Sequence, residues 1–352
     1  MCHRRPVARE ADGKLPRVRE LTLAVPDLLW PPGVQDASAS ALELMLARSR
    51  RSRFTTLGLE AWLCQAFGVE RQHDWPVAPL TAALDGPNTA DGYWLRCDPI
   101  HVLAERAQLR ILDASTFSLS ADEASAYVAT LNEHFARDGL AFVAPQPTRW
   151  YVKLARAPAL KTHALPDVAG QDVDRHLPSG DDSLFWHRAL NEVQMLLHDH
   201  PLNQAREARG EPAINSVWLW GGGVKPHVAR GYFARVWSDD PLAQALAMAG
   251  GTSSVPLPAT AAALLNETGD KELAVFPHLR DAARYGDADR WLATLAGLER
   301  DWFAPLLSAL RNRRLGDLAL IALDAECCLR CDITSGDLWK FWRTTRPLSS
   351  HA

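Results

Sequence analysis

The chain of 352 residues is 47% hydrophobic and 23% charged, with a formal net charge of −4. That length suits one large domain or two smaller ones, and the composition is that of an ordinary globular protein. The charge argues against a nucleic-acid or anionic-membrane partner, no apolar run can span a bilayer, and six cysteines in so long a chain make no disulfide framework.

Residues 1–18 are polar and of mixed charge and lack the apolar stretch of a secretory signal, so they read as a mobile tail on a cytoplasmic protein. Leu21 to Pro26 reads as a short buried strand that stops at Asp27, before a Trp30-Pro31-Pro32 turn. Ser40 with Glu43 three residues on is a capping-box pattern that opens a helix, and Gly58 to Phe67 reads as a second helix. Trp75 to Asp91, rich in Pro, Asp and Gly, reads as a loop at a boundary.

A smaller α+β unit follows. Tyr93–Arg96 and Leu109–Leu112 read as strands. Ser120 and Glu123 form another capping box, ahead of Ala124, Val128, Leu131 and Phe135 at helical spacing, and Gly139 suits the helix stop. Leu140–Ala144 and Trp150–Leu154 read as two further strands, and the stretch from Ala157 to Asp182 reads as a linker or long loop.

Trp186, Leu190, Val193 and Leu197 mark one face of a helix that Pro201 closes off. Val217–Trp220 reads as a strand that breaks at Gly221-Gly222-Gly223. A phosphate loop would need Lys followed by a hydroxyl residue, but Lys225 is followed by Pro226. Pro226 also stands where the dinucleotide fingerprint needs its third glycine, so a structural turn or an anion-facing turn remain. Leu273–Phe276 reads as a strand ending near His278. Trp291, Leu295, Leu298, Trp302 and Leu306 form the stripe of a strong helix, and Leu318–Leu323 reads as a buried strand ending at Asp324. Cys327, Cys328 and Cys331 lack a second ligand pair and read as buried thiols. The aromatic–basic segment Leu338–Arg343 is expected to pack back on the sheet. The thirteen tryptophans are expected to serve core packing.

Short apolar strands alternating with helices predict an α/β sheet. In open sheets of this kind ligands gather beyond the carboxyl ends of the strands. Those ends offer Asp27, the glycine turn, His278 with Asp281, and Asp324.

The order His200-Pro201, Asn203, Arg206, Gly210, Pro212-Ala213, Asn215, Trp218, Trp220-Gly221 and Gly223 resembles, without gaps, the archaeal-type cofactor-independent phosphoglycerate mutases of the alkaline-phosphatase-like superfamily. Arg96-Cys97-Asp98, where that family tends to have Arg-Cys-Asn, and the stretch Leu119–Leu154 extend the resemblance over roughly the middle half of the chain. It implies a mostly parallel sheet flanked by helices. Residues 19–90 and 183–346 would form this core, 91–165 an inserted α+β sub-domain, and 166–182 a linker.

The resemblance also implies phosphoryl transfer, with two divalent metals held by Asp and His clusters and a Ser or Thr nucleophile. Asp27 stands where the family's first strand ends in an acid. The nucleophile's place is taken by Gly58-Leu59-Glu60, and Leu59 has no nucleophilic atom; using Thr55 or Thr56 would shift the register. His278-Leu279-Arg280-Asp281, then Asp287, replaces a richer His–acid pattern. Asp324-Ala325 replaces an Asp-His pair, and only His351 follows. Arg280 is a fixed cation in the expected metal region.

These departures imply a non-catalytic regulatory or ligand-binding protein with no cofactor, similar to the bacterial RpfE-type regulatory proteins. Its partner would be another protein or a phosphorylated small molecule. Asn203, Arg206, Asn215, Gly221, Gly223 and Arg96 are the candidate ligand contacts, although Arg206 and Asn215 equally suit local backbone capping. The alternative is a manganese- or zinc-dependent phosphomutase or phosphatase, in which Asp27, His278, Asp281 and Asp324 hold one ion and water replaces the serine.

Overall fold

The structure is a computed structural model that describes residues 18–29, 39–55, 58–105, 108–267, 269–324 and 327–348. The expected tail before residue 18, the Trp30-Pro31-Pro32 turn, Thr56, Ala325 and His351 lie outside the described residues.

In chain order the strands are β1 (Val18–Pro26), β2 (Arg50–Thr55), β3 (Tyr93–Glu105), β4 (Gln108–Leu112), β5 (Ala141–Gln146), β6 (Arg149–Leu154), β7 (Ser216–Gly223), β8 (Arg235–Trp237), β9 (Ser253–Val255), β10 (Gly269–Val275), β11 (Leu315–Leu323) and β12 (Cys327–Thr334). The helices are α1 (Ser40–Arg48), α2 (Gly58–Ala66), α3 (Val77–Asp85), α4 (Ala121–Phe135), α5 (Leu165–Val168), α6 (Ser183–His198), α7 (Pro201–Ala208), α8 (Pro241–Ala249), α9 (Ala261–Leu265), α10 (Arg280–Arg284), α11 (Ala288–Leu298) and α12 (Ala304–Arg311).

The larger sheet has the order β2-β12-β11-β1-β10-β8-β9. β1 pairs in parallel with β10 and β11, and β8 in parallel with β10 and β9. β12 is antiparallel to both β11 and β2. The alternation of strand side chains explains why β1 and β11 read as apolar runs. Leu21, Leu23, Val25, Leu318, Leu320 and Ala322 fill the core under α1, α11 and α12, whereas Ala24, Ile321 and Leu323 fill the core with α2 and α8 on the other face. Burial of each large side chain is worth roughly 1.5–3 kcal/mol.

The second sheet has the order β4-β3-β6-β5, with β7 also paired to β3. Its core joins Tyr127, Leu131 and Phe135 of α4 to Trp186, Val193 and Leu197 of α6. The predicted cap of α4 is present in full: Ser120 accepts from the Glu123 N–H, and Glu123 accepts from the Ser120 N–H. Gly139 takes the left-handed conformation just beyond it.

Several expectations are corrected. The stretch read as loop after Trp75 contains α3, with Val77, Ala78, Leu80 and Ala82 buried. Its prolines, Pro76 at the cap and Pro79 in the first turn, sit where a helix tolerates them. Pro201 opens α7 instead of merely ending α6. β7 was assigned to the core but belongs to the second sheet, with Trp220 opposite Arg96, and its glycines continue the strand instead of breaking it. Ser40 does not cap α1. The Glu299 carboxylate does, accepting from the N–H groups of Ala41 at 2.6 Å and Leu42 at 3.2 Å. The expected linker holds α5 and a short 3-10 turn, Val173–Arg175. The aromatic–basic segment packs back only in part: Leu338 is buried in the core and Arg343 donates to the Ser49 carbonyl, whereas Trp339, Phe341 and Trp342 are exposed. Among the described residues, no helix is long and apolar enough to cross a membrane.

Candidate functional site

Because β1, β10 and β11 run parallel, their carboxyl ends share one rim, and the groups predicted there are brought to it. Asp27 follows β1 with a left-handed φ of 57°, its N–H donating to the Leu323 carbonyl at 2.7 Å. Asp27 and Asp324 line one pocket of about 190 Å³ together with Leu59, Asp167, Arg280 and Arg284. His278 and Asp281 line an adjoining cleft of about 470 Å³, where the rim meets the second sheet at Arg96, Asp98 and Trp220. Arg280 and Arg284 line both cavities.

The middle of this site is a cation. Arg280, at the start of α10, is 7% exposed. Its Nη1 and Nη2 donate to the two oxygens of Glu60 at 2.7 Å each, and Nη2 also donates to Asp167 Oδ1 at 3.3 Å. Arg284, one turn on, donates to Asp113 Oδ2 at 2.9 Å and to Asp281 Oδ1 at 3.4 Å. Asp113 is held in turn by the hydroxyls of Tyr285 at 2.9 Å and Ser115 at 2.6 Å. Glu60 lies in the first turn of α2, directly after Leu59. A Cβ on Gly58, which has φ of 75°, would come within 2.7 Å of Asp167 Oδ1. The anion beside this helix start is therefore a carboxylate of the chain itself.

The electrostatics follow from burial and these pairings. Burial raises Asp27 to about 6, with Arg280 and Arg284 opposing the shift. Burial and then the Glu60 charge raise Asp167 to about 7. Burial also acts to raise Glu60, but the Arg280 charge and hydrogen bonds outweigh it and hold Glu60 below its ordinary value. Burial and the neighbouring Arg280 lower Arg284.

A metal ion does not fit these residues. Among the described residues no group of three or more His, Cys, Asp or Glu side chains is arranged to hold one. Glu60 and Asp167 are paired with Arg280, and Asp113 and Asp281 with Arg284, and the fixed charge of these guanidinium groups repels a divalent ion. Asp27, His278, Asp281 and Asp324 are divided between the two cavities and form no such cluster. Cys328 and Cys331 are buried on β12, as expected of packing thiols, whereas Cys327 is only half-buried.

The candidate ligand contacts fall into two groups. Arg96 does line the cleft, but its Nε and Nη2 both donate to Asp98 Oδ1, at 3.0 and 2.8 Å. Its guanidinium is stacked between the rings of Tyr151 and Trp220, and Trp220 Nε1 donates to Asp98 Oδ2 at 2.7 Å. Asn203, Arg206 and Asn215 do not line the cleft. Asn203 receives the Tyr127 hydroxyl and the Ile214 N–H and donates to the Leu197 and Ile214 carbonyls, which exhausts its amide. Arg206, 1% exposed, donates to the carbonyls of Pro212 and Ser118 and to Glu123. Asn215 pairs with both the N–H and the carbonyl of Val102. Gly221 and Gly223 are packing positions: their Cβ atoms would lie 2.9 Å from Val77 Cβ and 2.5 Å from Pro76 Cβ. The polar stretch is thus a structural staple, in line with the capping alternative for Arg206 and Asn215. Glu60, Asp113, Asp167 and Arg284 were missed as site residues. The only sequence signal for them was Arg280, which requires buried counter-charges.

No family model matches the chain. It is 30% identical over 152 residues to a 2,3-bisphosphoglycerate-independent phosphoglycerate mutase of Methanosarcina mazei, a match covering 42% of this chain and 37% of that protein. It is 26% identical over 165 residues to the enzyme so named in Methanothrix thermoacetophila, covering 42% of each. The matched part is therefore less than half the length of these relatives. A solved cofactor-independent phosphoglycerate mutase of Thermoplasma acidophilum superposes with a TM-score of 0.50 over 95% of both chains, at 13% identity. A Pyrococcus horikoshii protein does so with a TM-score of 0.53 over 96% of this chain and 93% of that one, at 11% identity. The chain has the predicted α/β fold, a mostly parallel sheet flanked by helices, and shares it with the Thermoplasma acidophilum phosphoglycerate mutase structure.

Proposed function

We propose that this chain is a non-catalytic regulatory or ligand-binding protein on a phosphoglycerate-mutase-like scaffold, of the kind represented by the bacterial RpfE-type regulators. One observation carries the reading: the buried Arg280 guanidinium, bound to Glu60 and Asp167 beside Leu59, occupies the region where the resemblance calls for metals and a nucleophile. An internal cation stabilises the acids there without offering an open coordination position for catalysis.

The ligand of this reading is a phosphorylated small molecule in the cleft of about 470 Å³, a volume suited to one. Arg284 Nε is buried without a hydrogen-bond partner among the described residues, which leaves a donor for a phosphate oxygen. Ser115, Thr148 and His278 line the same cleft.

The test has two parts. Purified protein supplied with manganese or zinc should not convert 3-phosphoglycerate to 2-phosphoglycerate; turnover would establish the metal-dependent phosphomutase instead. A phosphoester such as 3-phosphoglycerate should raise the melting temperature of the wild type. Arg284→Lys, which keeps the charge and removes Nε, should lose that shift. If no phosphoester shifts either protein, the small-molecule reading is wrong and a protein partner replaces it.

A further inference from the structure

The edge strand β2 and the segment after β12 meet on a surface that shares no lining residue with the strand-end cavities. Arg343 Nη1 donates to the Ser49 carbonyl at 2.7 Å, and Arg48 Nη1 donates to the Leu338 carbonyl, tying the two segments together. These acceptors are neutral, so both guanidinium charges persist. A groove of about 500 Å³ opens between the segments, lined by Ser49, Arg50, Arg51, Trp342, Arg343 and Arg346 among others. Neither Arg48–Thr55 nor Leu338–Pro347 contains an acidic residue. Trp342, 67% exposed, lines the groove, Phe341 lies against it with ring centroids 5.3 Å apart, and Trp339 precedes them in the chain, Trp339 and Phe341 each being 78% exposed.

Charge on an edge strand discourages pairing with other sheets, but that role does not call for indoles held in water beside it. Six of the seven cations in these segments are arginines. Arg51 donates Nε and Nη2 to the Leu46 carbonyl and Lys340 pairs with Asp337, so Arg50, Arg343 and Arg346 carry the charge of the groove, with planar forks that match phosphate oxygens in pairs. Exposed aromatic rings next to such cations are platforms on which bases stack without regard to sequence. An acidic peptide would satisfy the charge but not the flat faces of Trp339, Phe341 and Trp342. A lipid surface suits a convex apolar face, whereas here the arginines line a concavity.

We infer that this surface binds single-stranded nucleic acid, with phosphates in the arginine groove and bases against Trp342 and its aromatic neighbours. The inference is independent of the ligand in the strand-end cleft. The formal net charge of −4 that argued against nucleic acid averages the whole surface and hides this arginine-rich patch.

The test is fluorescence anisotropy with labelled oligo-uridine and oligo-thymidine of about 12 nucleotides, a length within the usual site size. Saturable binding is expected at about 50 mM salt, at least tenfold weaker at about 200 mM as counterions compete, with quenching of tryptophan fluorescence. Trp342→Ala should weaken it about fivefold or more, and Arg50→Glu with Arg346→Glu should abolish it. All three positions are exposed, and circular dichroism should show the fold unchanged. Absence of saturable binding at the lower salt, or binding untouched by these substitutions, would overturn the inference. So would capture by polyglutamate or by phosphatidylserine vesicles while the oligonucleotides stay unbound, which would assign the patch to an acidic protein or a membrane.

Discussion

Asp27 and Asn203 show how differently two polar candidate site residues are used. Asp27 titrates at about 6 in the folded protein against 3.8 as an ordinary carboxyl, because it is buried at the end of β1. Between those values the folded state binds more protons than the unfolded one, so stability falls as pH rises through that window, and the loss is complete above it. Asp27→Asn should therefore stabilise the protein by on the order of 1–2 kcal/mol at about pH 8 and have little effect at about pH 4.5. The left-handed backbone there tolerates asparagine. Melting curves at both pH values check this, and an equal or lower melting temperature for the variant at the higher pH would contradict it. Asn203 was a candidate ligand contact, but all its hydrogen-bonding capacity is spent between Tyr127, Leu197 and Ile214. Asn203→Ala should cost about 3 kcal/mol or more by leaving those buried groups unpaired. Urea unfolding would read this as a lower midpoint, with no change in any ligand-induced shift at the cleft.

The elements were most legible where one local rule governed them. The helical stripe of α4 and its Ser120–Glu123 cap are short-range features, and the structure reproduces them. The apolar runs of β1 and β11 mark strands covered on both faces. Elements fixed by distant partners were not legible. α3 was hidden by its own prolines, and α1 takes its capping carboxylate from Glu299, far along the chain. The glycines of β7 looked like an anion-facing turn because their cause lies elsewhere: α3 packs so close that Gly223 has room for no side chain. Gly223→Ala should then destabilise by roughly 1–3 kcal/mol through overpacking against Pro76. A neutral effect on the unfolding midpoint would show that α3 is free to move away.

The site was legible in its frame but not in its content. Parallel strands ending in Asp27, His278 and Asp324 predicted where a rim would form, because strand direction brings such ends together. The acids that answer Arg280 come from the start of α2 and from a segment read as linker, and no spacing rule connects them. Glu60, Asp167, Arg280, Arg284 and Asp113 form one buried charge network whose members become neighbours only on folding. Such a network is costly to break singly, since each removed partner strands a buried charge. The central claim is that this network takes the place of the metals, and calorimetric titration of chelator-treated protein with manganese and with zinc tests it most directly. The account predicts no saturable site for either ion. A stoichiometric site that disappears in Asp27→Asn or Asp324→Asn would contradict it and restore the metal-dependent chemistry.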